Sequence, residues 1–129
     1  MKAVYSSAKR KAKKTYGTSK QIEGELLENE EVVIVEDVIT AGTAIRESMA
    51  ILSKLDGVKV SATFVMVDRK EKGKTEKSAM AEVSDEFGFP VYSVVDVYDI
   101  IEYLEEDESN RENVDRIKAY LAVNGAKSN

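Results

Sequence analysis

Residues 32–35, Val-Val-Ile-Val, are an unbroken β-branched run that ends on two acids, Glu36 and Asp37, and leads within three residues to the small-residue string Thr40-Ala41-Gly42-Thr43-Ala44. A strand without polar alternation is expected where both faces are covered, as in parallel sheets built from strand-helix-strand units. Small side chains let backbone N–H groups approach an anion, and a helix starting near Thr43 points its positive end into the same space. One phosphate fits this junction, beside two carboxylates. A branched side chain at Gly42 would be expected to take the anion's place. The full Walker pattern, Gly-x-x-x-x-Gly-Lys-Ser/Thr, is absent. The bland alternative is a strand that simply exits through two acids and a turn.

The rest of the chain alternates strand and helix patterns, which predicts an α/β fold with a mostly parallel sheet flanked by helices. Residues 3–7 read as a short strand and 9–19 as a polar loop, with 21–27 as a possible returning arm. Residues 44–55 carry Ile45, Met49, Leu52 and Leu55 on one side of a helix. A third apolar run spans 58–67 and ends at Asp68. After the charged loop 70–74, residues 75–87 read as a helix with Ala79, Val83 and Phe87 in line. The last strand is 91–95. Asp96 is placed to cap a helix over 97–104, with Asp99 in its first turn. A final helix, about 111–123, would bury Val114, Ile117 and Leu121 and stop at Asn124-Gly125.

At 129 residues the chain suits one globular domain, and no apolar run approaches the roughly 20 residues needed to span a bilayer. With no hydrophobic signal core at its start, a cytoplasmic location and no membrane partner are expected. Cysteine and histidine are both lacking, which excludes disulfides, zinc-finger sites and imidazole chemistry from this chain. Acid-base work falls to carboxylates. The net charge of −5 is uneven: residues 1–20 hold seven bases and no acid, while the remainder carries 12 bases against 24 acids. A basic arm on an acidic body suits a small anionic ligand better than nucleic acid, which usually wants a broad positive face with stacking aromatics.

The string Val35-Glu36-Asp37-Val38-Ile39-Thr40-Ala41-Gly42-Thr43-Ala44-Ile45-Arg46-Glu47-Ser48 resembles the phosphoribosyl pyrophosphate (PRPP) motif of type I phosphoribosyltransferases, and its wording is most similar to the orotate phosphoribosyltransferase family. The resemblance implies a phosphoribosyltransferase-type, Rossmann-like sheet in a single, partial domain over residues 1–129. It implies that Glu36 and Asp37 hold the ribose hydroxyls and act in catalysis, and that Thr40, Ala41, Gly42, Thr43 and Ala44 bind the 5-phosphate. Arg10-Lys11-Ala12-Lys13-Lys14 fits the Arg-Lys-x-x-Lys spacing of the family's mobile basic loop, here 8–20, so Arg10, Lys11 and Lys14 would bind pyrophosphate, with Lys14 catalytic. The chain departs from the family by placing Tyr16 where a histidine is usual; a phenol donates a hydrogen bond but is no cation at neutral pH. On residues alone, a solvated lysine loop stays open as an alternative. Asp68-Arg69 matches the family's Asp-Arg pair, which implies that Arg69 grips the orotate carboxylate, with Thr40 also near orotate. A guanidinium offers a carboxylate two parallel donors. On this reading Lys70, Lys72 and Lys74 are ordinary loop charges; the alternative is a surface pair between Arg69 and Glu71.

What the resemblance implies for function is transfer of ribose 5-phosphate from PRPP to orotate, giving orotidine monophosphate and pyrophosphate, with Mg²⁺ held largely through PRPP and water and no dedicated protein metal site. Two alternatives stand beside it: a non-catalytic PRPP- or nucleotide-binding regulatory protein, and a phosphoribosyltransferase for another base. The family's N-terminal hood and the strand preceding its pyrophosphate loop are expected to be missing here, so the domain is expected to be truncated at its N-terminus. That strand would lie between the first strand and the PRPP-motif strand. Its place could be taken by a separately encoded N-terminal half, by a homodimer whose edges pair, or by direct closure of the two strands.

Overall fold

Each crossover in this chain carries a strand to the side of its predecessor, so the sheet grows in one direction. The computed structural model describes residues 2–5 and 29–127. In chain order these form β1 (Lys2–Tyr5), β2 (Glu31–Ile39), α1 (Thr43–Leu52), β3 (Lys59–Asp68), α2 (Ala79–Phe87), β4 (Val91–Asp96), α3 (Val97–Glu105) and α4 (Arg111–Asn124), with a short 3₁₀ turn before α4. The sheet order is β1-β2-β3-β4, and every pairing is parallel. β1 pairs directly with β2, Lys2 opposite Val32 and Tyr5 opposite Val35. In the described backbone these two strands close directly on each other. The arm expected at 21–27 lies outside the described residues.

The β2-α1-β3 and β3-α2-β4 units put α1 and α2 on one face of the sheet, as crossovers of one hand require. The core fills the space between: Val32 and Ile34 of β2 and Val65 of β3 meet Ile45 and Leu52 of α1 and Ala79 and Val83 of α2. Each large buried side chain there is worth about 1.5–3 kcal/mol. On the opposite face Val33 and Val35 of β2 are half-buried, and cover thins toward β3 and β4. Phe64 of β3 and Tyr92 of β4 stack with ring centroids 5.3 Å apart, and both stay exposed, as do Met66 and Val94.

Three helices depart from the sequence reading. α1 stops at Leu52 instead of residue 55, so Leu55 lies beyond the helix and is exposed. α2 starts at Ala79 instead of residue 75, because Ser78 accepts the Ala81 N–H at 3.2 Å and caps the helix there. In α4 only Val114 is buried; Ile117 and Leu121 line an open groove of about 880 Å³ between α3 and α4. Asp96 caps α3 as expected, in a reciprocal capping box with Asp99. Beyond α4, the chain staples the loop that leaves β3: Lys72 N–H donates to the Asn124 carbonyl at 3.0 Å, and Ala126 N–H to that of Lys70 at 2.8 Å.

Candidate active site

β2 does not stop at its two acids. Glu36 pairs with Val65, Val38 with Val67 and Ile39 with Asp68, so the ladder carries the strand through to Ile39. Neighbouring strand residues point to opposite faces. Glu36 accordingly continues the inward row of Val32 and Ile34 and is only 8% exposed, whereas Asp37 is exposed and its carboxylate accepts the Val38 N–H at 2.7 Å. The two carboxylates are adjacent in sequence and turned apart in space. Asp37 is the one a solute can reach.

The loop from Thr40 to Ala44 delivers the chain into α1. Gly42 is the N-cap residue, in the left-handed region at φ 70°, and no side chain caps the helix. A Cβ on Gly42 would lie 2.7 Å from Val83 Cγ2 and 3.2 Å from Arg46 Nη1. The steric demand at this position therefore comes from α2 beneath the loop, not from the anion's side as expected. Only a glycine combines this φ with so close an approach. Thr40 and Thr43 are exposed and Gly42 is buried, so the loop turns its threonines outward.

One strand over, β3 ends at Asp68, which is 3% exposed. Arg69 follows, its side chain 44% exposed and its guanidinium 2.5 Å from Glu71. The surface pairing read as the alternative is thus formed. Lys70 is no ordinary loop charge. Its backbone is left-handed at φ 53°, its N–H donates to Asp68 at 2.9 Å, and its ammonium lies 3.1 Å from Asp68 and 3.3 Å from Asp96. Asp68 and Asp96 are register partners. Lys70 therefore ties the ends of β3 and β4 together. Burial pushes the Lys70 ammonium down, but its hydrogen bonds to the two carboxylates and their charges outweigh that and leave its pKa raised.

Three further residues escaped the sequence reading. Arg46 donates from Nη1 to the Ala41 carbonyl at 2.5 Å, meets Glu86 at 2.6 Å through Nε, and lies 3.7 Å from Glu82. Glu82 also accepts the backbone N–H groups of Lys74 at 2.9 Å and Thr75 at 2.6 Å, and the Thr75 hydroxyl at 2.6 Å. The hydroxyl's hydrogen bond leads in holding the Glu82 carboxyl below its ordinary pKa, against the effect of burial. Lys74 and Thr75 are thus bound to α2 through their own amides, while the Gly73 N–H turns back to the Lys77 carbonyl. A cue existed for Arg46: a cation in the first turn of a helix opposes the macrodipole and needs a local partner. Arg10, Lys11, Lys14 and Tyr16 lie outside the described residues. Among the described residues, no cluster of three or more acidic side chains is arranged to hold a metal ion, and no helix is long and apolar enough to cross a membrane.

Comparison with known proteins gives this arrangement a family context. The model of the phosphoribosyl transferase domain matches residues 1–96. The orotate phosphoribosyltransferase of Vibrio parahaemolyticus is 46% identical over 116 residues, 90% of this chain and 54% of that protein. That of Pseudomonas fluorescens is 39% identical over 111 residues, covering 86% and 51%. The chain spans about half the length of the curated relatives it matches. Among solved structures, the orotate phosphoribosyltransferase of Francisella tularensis superposes with a TM-score of 0.64 at 33% identity, over 81% of this chain and 52% of that one. UMP synthase of Leishmania donovani shares the fold, with a TM-score of 0.66 at 23% identity over 82% of this chain and 22% of that one.

Proposed function

The chain belongs to the phosphoribosyl transferase domain family, and from that premise we propose that it performs orotate phosphoribosyltransferase chemistry, as that enzyme or as its catalytic C-terminal half. The reaction is transfer of ribose 5-phosphate from PRPP to orotate, releasing pyrophosphate and giving orotidine monophosphate. The observation that carries this reading is a register: Ile39 of β2 lies opposite Asp68 of β3. The phosphate loop after β2 and Arg69 after β3 therefore leave the same end of the sheet side by side. Ligands of open α/β sheets bind at that end. The names of the matched relatives supply the base.

The mechanism follows from charge. Breaking the C1–O bond of PRPP puts positive charge on the ribose ring and negative charge on departing pyrophosphate. A carboxylate near the sugar and cations near the leaving group match that transition state better than the ground state. Asp37, exposed at the strand end, holds the ribose hydroxyls and stabilises the ring. Glu36, turned inward, supports the same strand end, with the ribose as the contact implied for it by the family motif. Backbone amides of Ala41, Gly42, Thr43 and Ala44 hold the 5-phosphate, with the hydroxyls of Thr40 and Thr43 on the open side. Arg69 binds the orotate carboxylate, with Thr40 beside it. Arg10, Lys11 and Lys14 gather the pyrophosphate, with Lys14 in the catalytic role the family motif implies. Mg²⁺ would supply charge neutralisation on PRPP, and the exposed Asp37 carboxylate suits an ion that keeps substrate and water oxygens as its main ligands.

Further polypeptide completes the working assembly, as a second copy of the chain or as a separate N-terminal half, in the cytoplasm. The partial coverage of the relatives and the apolar residues left exposed on the second sheet face support this. The test is direct. The purified chain, with Mg²⁺ and PRPP, should consume orotate and release pyrophosphate, alone or once the unmatched part of the Vibrio parahaemolyticus protein is added. Absence of turnover in both mixtures, with PRPP binding intact, would instead assign the chain to the regulatory class.

A further inference from the structure

The exposed ends of β2 and β3 carry the proposed ligand contacts, but the geometry points to a residue behind them: we propose that Arg46 is a positioning residue that sets the direction of the phosphate-loop amides. This rests on the reading of residues 40–44 as the phosphate site. Across a trans peptide the carbonyl and the following N–H point opposite ways. Arg46 Nη1 holds the Ala41 carbonyl at 2.5 Å, so it draws that oxygen toward α1 and α2 and turns the Gly42 N–H to the open side of the loop. The peptide needs such a hold. Gly42 has no Cβ to confine it and tolerates both signs of φ, so this peptide can flip more readily than one between larger residues.

The guanidinium is itself fixed. Its side chain is 16% exposed, its Nε meets Glu86 at 2.6 Å, and Glu82 stands 3.7 Å from Nη2. Both acids sit on α2, which also supplies Val83 against the Gly42 backbone. Glu82 in turn binds the amides of Lys74 and Thr75. One helix thus fastens the phosphate loop and the loop after β3. A lysine at position 46 could reach the Ala41 carbonyl, but its single ammonium lacks the planar fork that serves two acceptors at fixed angles.

Calorimetric titration of the full chain with ribose 5-phosphate and, separately, with orotate tests this. Arg46→Ala should weaken ribose 5-phosphate binding at least tenfold and leave orotate affinity within twofold. Arg46→Lys should fall between the variant and wild type. Val114→Ala, which removes buried side-chain volume from α4, should lose thermal stability with ribose 5-phosphate affinity unchanged. Ribose 5-phosphate affinity within twofold of wild type in Arg46→Ala would overturn the proposal, as would equal weakening of both ligands, which marks general loss of structure. If Arg46→Ala fails to fold, Arg46→Lys decides by the same comparison. Wild type that binds no ribose 5-phosphate at all would remove the phosphate-loop reading, and the role of Arg46 with it.

Discussion

Arg69 and Glu71 face each other at 2.5 Å, two residues apart on the loop that leaves β3. The arginine proposed to bind orotate is therefore already engaged with a carboxylate of the same loop. Glu71 has a side chain only 15% exposed and a backbone bridged to Gly125, so it is held in place, while Arg69 is the freer partner. On the proposed reading, orotate would have to compete with Glu71.

That competition gives the first prediction. Glu71→Gln should tighten orotate binding, and Arg69→Ala should weaken it by tenfold or more, since a charge-assisted hydrogen bond is worth about 1.5–3 kcal/mol. Calorimetry with orotate measures both. Unchanged affinity in Arg69→Ala would move the base site elsewhere, or point to a different base.

Asp37→Asn should leave the fold intact, because the side chain is exposed and accepts the N–H of the next residue of its own strand, Val38. Turnover of PRPP and orotate, measured as pyrophosphate release in the active assembly, should fall by two orders of magnitude or more. Removing one transition-state charge contact costs about 3 kcal/mol. A variant that retains more than a third of wild-type turnover would take Asp37 out of the chemistry.

At Gly42 the prediction concerns stability as well as binding. Gly42→Ala meets a left-handed backbone, costing about 1–2 kcal/mol, and drives its Cβ into Val83. Urea unfolding should show that loss. Val83→Ala alone also destabilises by opening a cavity, but in the double variant the two costs should sum to less than their separate values, because the clash is gone. Strict additivity would mean that the Cβ finds room without Val83.

The Lys70 strut between Asp68 and Asp96 predicts a pH profile. Burial pushes the Asp96 carboxyl up, but the Asp99 and Tyr98 amides and the Lys70 ammonium outweigh it and leave its pKa lowered. An unfolded chain then binds more protons than the folded one through that window, so the strut's contribution is present above pH about 4 and is lost as pH falls through the lower folded value. Lys70 works in the opposite sense. Its raised pKa stabilises the fold below about pH 10.4 and the contribution fades as pH climbs through the folded value. Thermal melts across pH should therefore show a plateau with an acid and an alkaline shoulder. Lys70→Met should flatten the alkaline shoulder and move the acid one upward; identical profiles would dissolve the strut.

The sequence was informative where period and punctuation act locally. The β-branched run of β2, the start of α1 at Thr43, the Asp96 cap and the stop at Asn124 all follow from residues near each other in the chain. It was less informative where a contact spans distant elements. Strand β2 reads as ending at Glu36-Asp37, yet pairing with β3 carries it to Ile39 and turns the two acids apart. Residues 75–78 look helical by pattern, but Glu82 captures the Lys74 and Thr75 amides and holds them in a loop. Lys70 and Arg46 look like surface cations until the fold brings Asp68 and Asp96 to one and Ala41, Glu82 and Glu86 to the other. The direct contact of β1 with β2 was one of three open possibilities, because strand order is a property of the whole sheet and no residue in either strand specifies it.

Amide NMR of the isotope-labelled chain titrated with ribose 5-phosphate tests the central claim most directly. A sugar phosphate seated on the loop between β2 and α1 should shift the backbone amides of Ala41, Gly42, Thr43 and Ala44 first and furthest, saturably, with Asp37 and Val38 following. Saturable shifts centred on other residues, or no shift in the 40–44 loop at millimolar ligand, would contradict it.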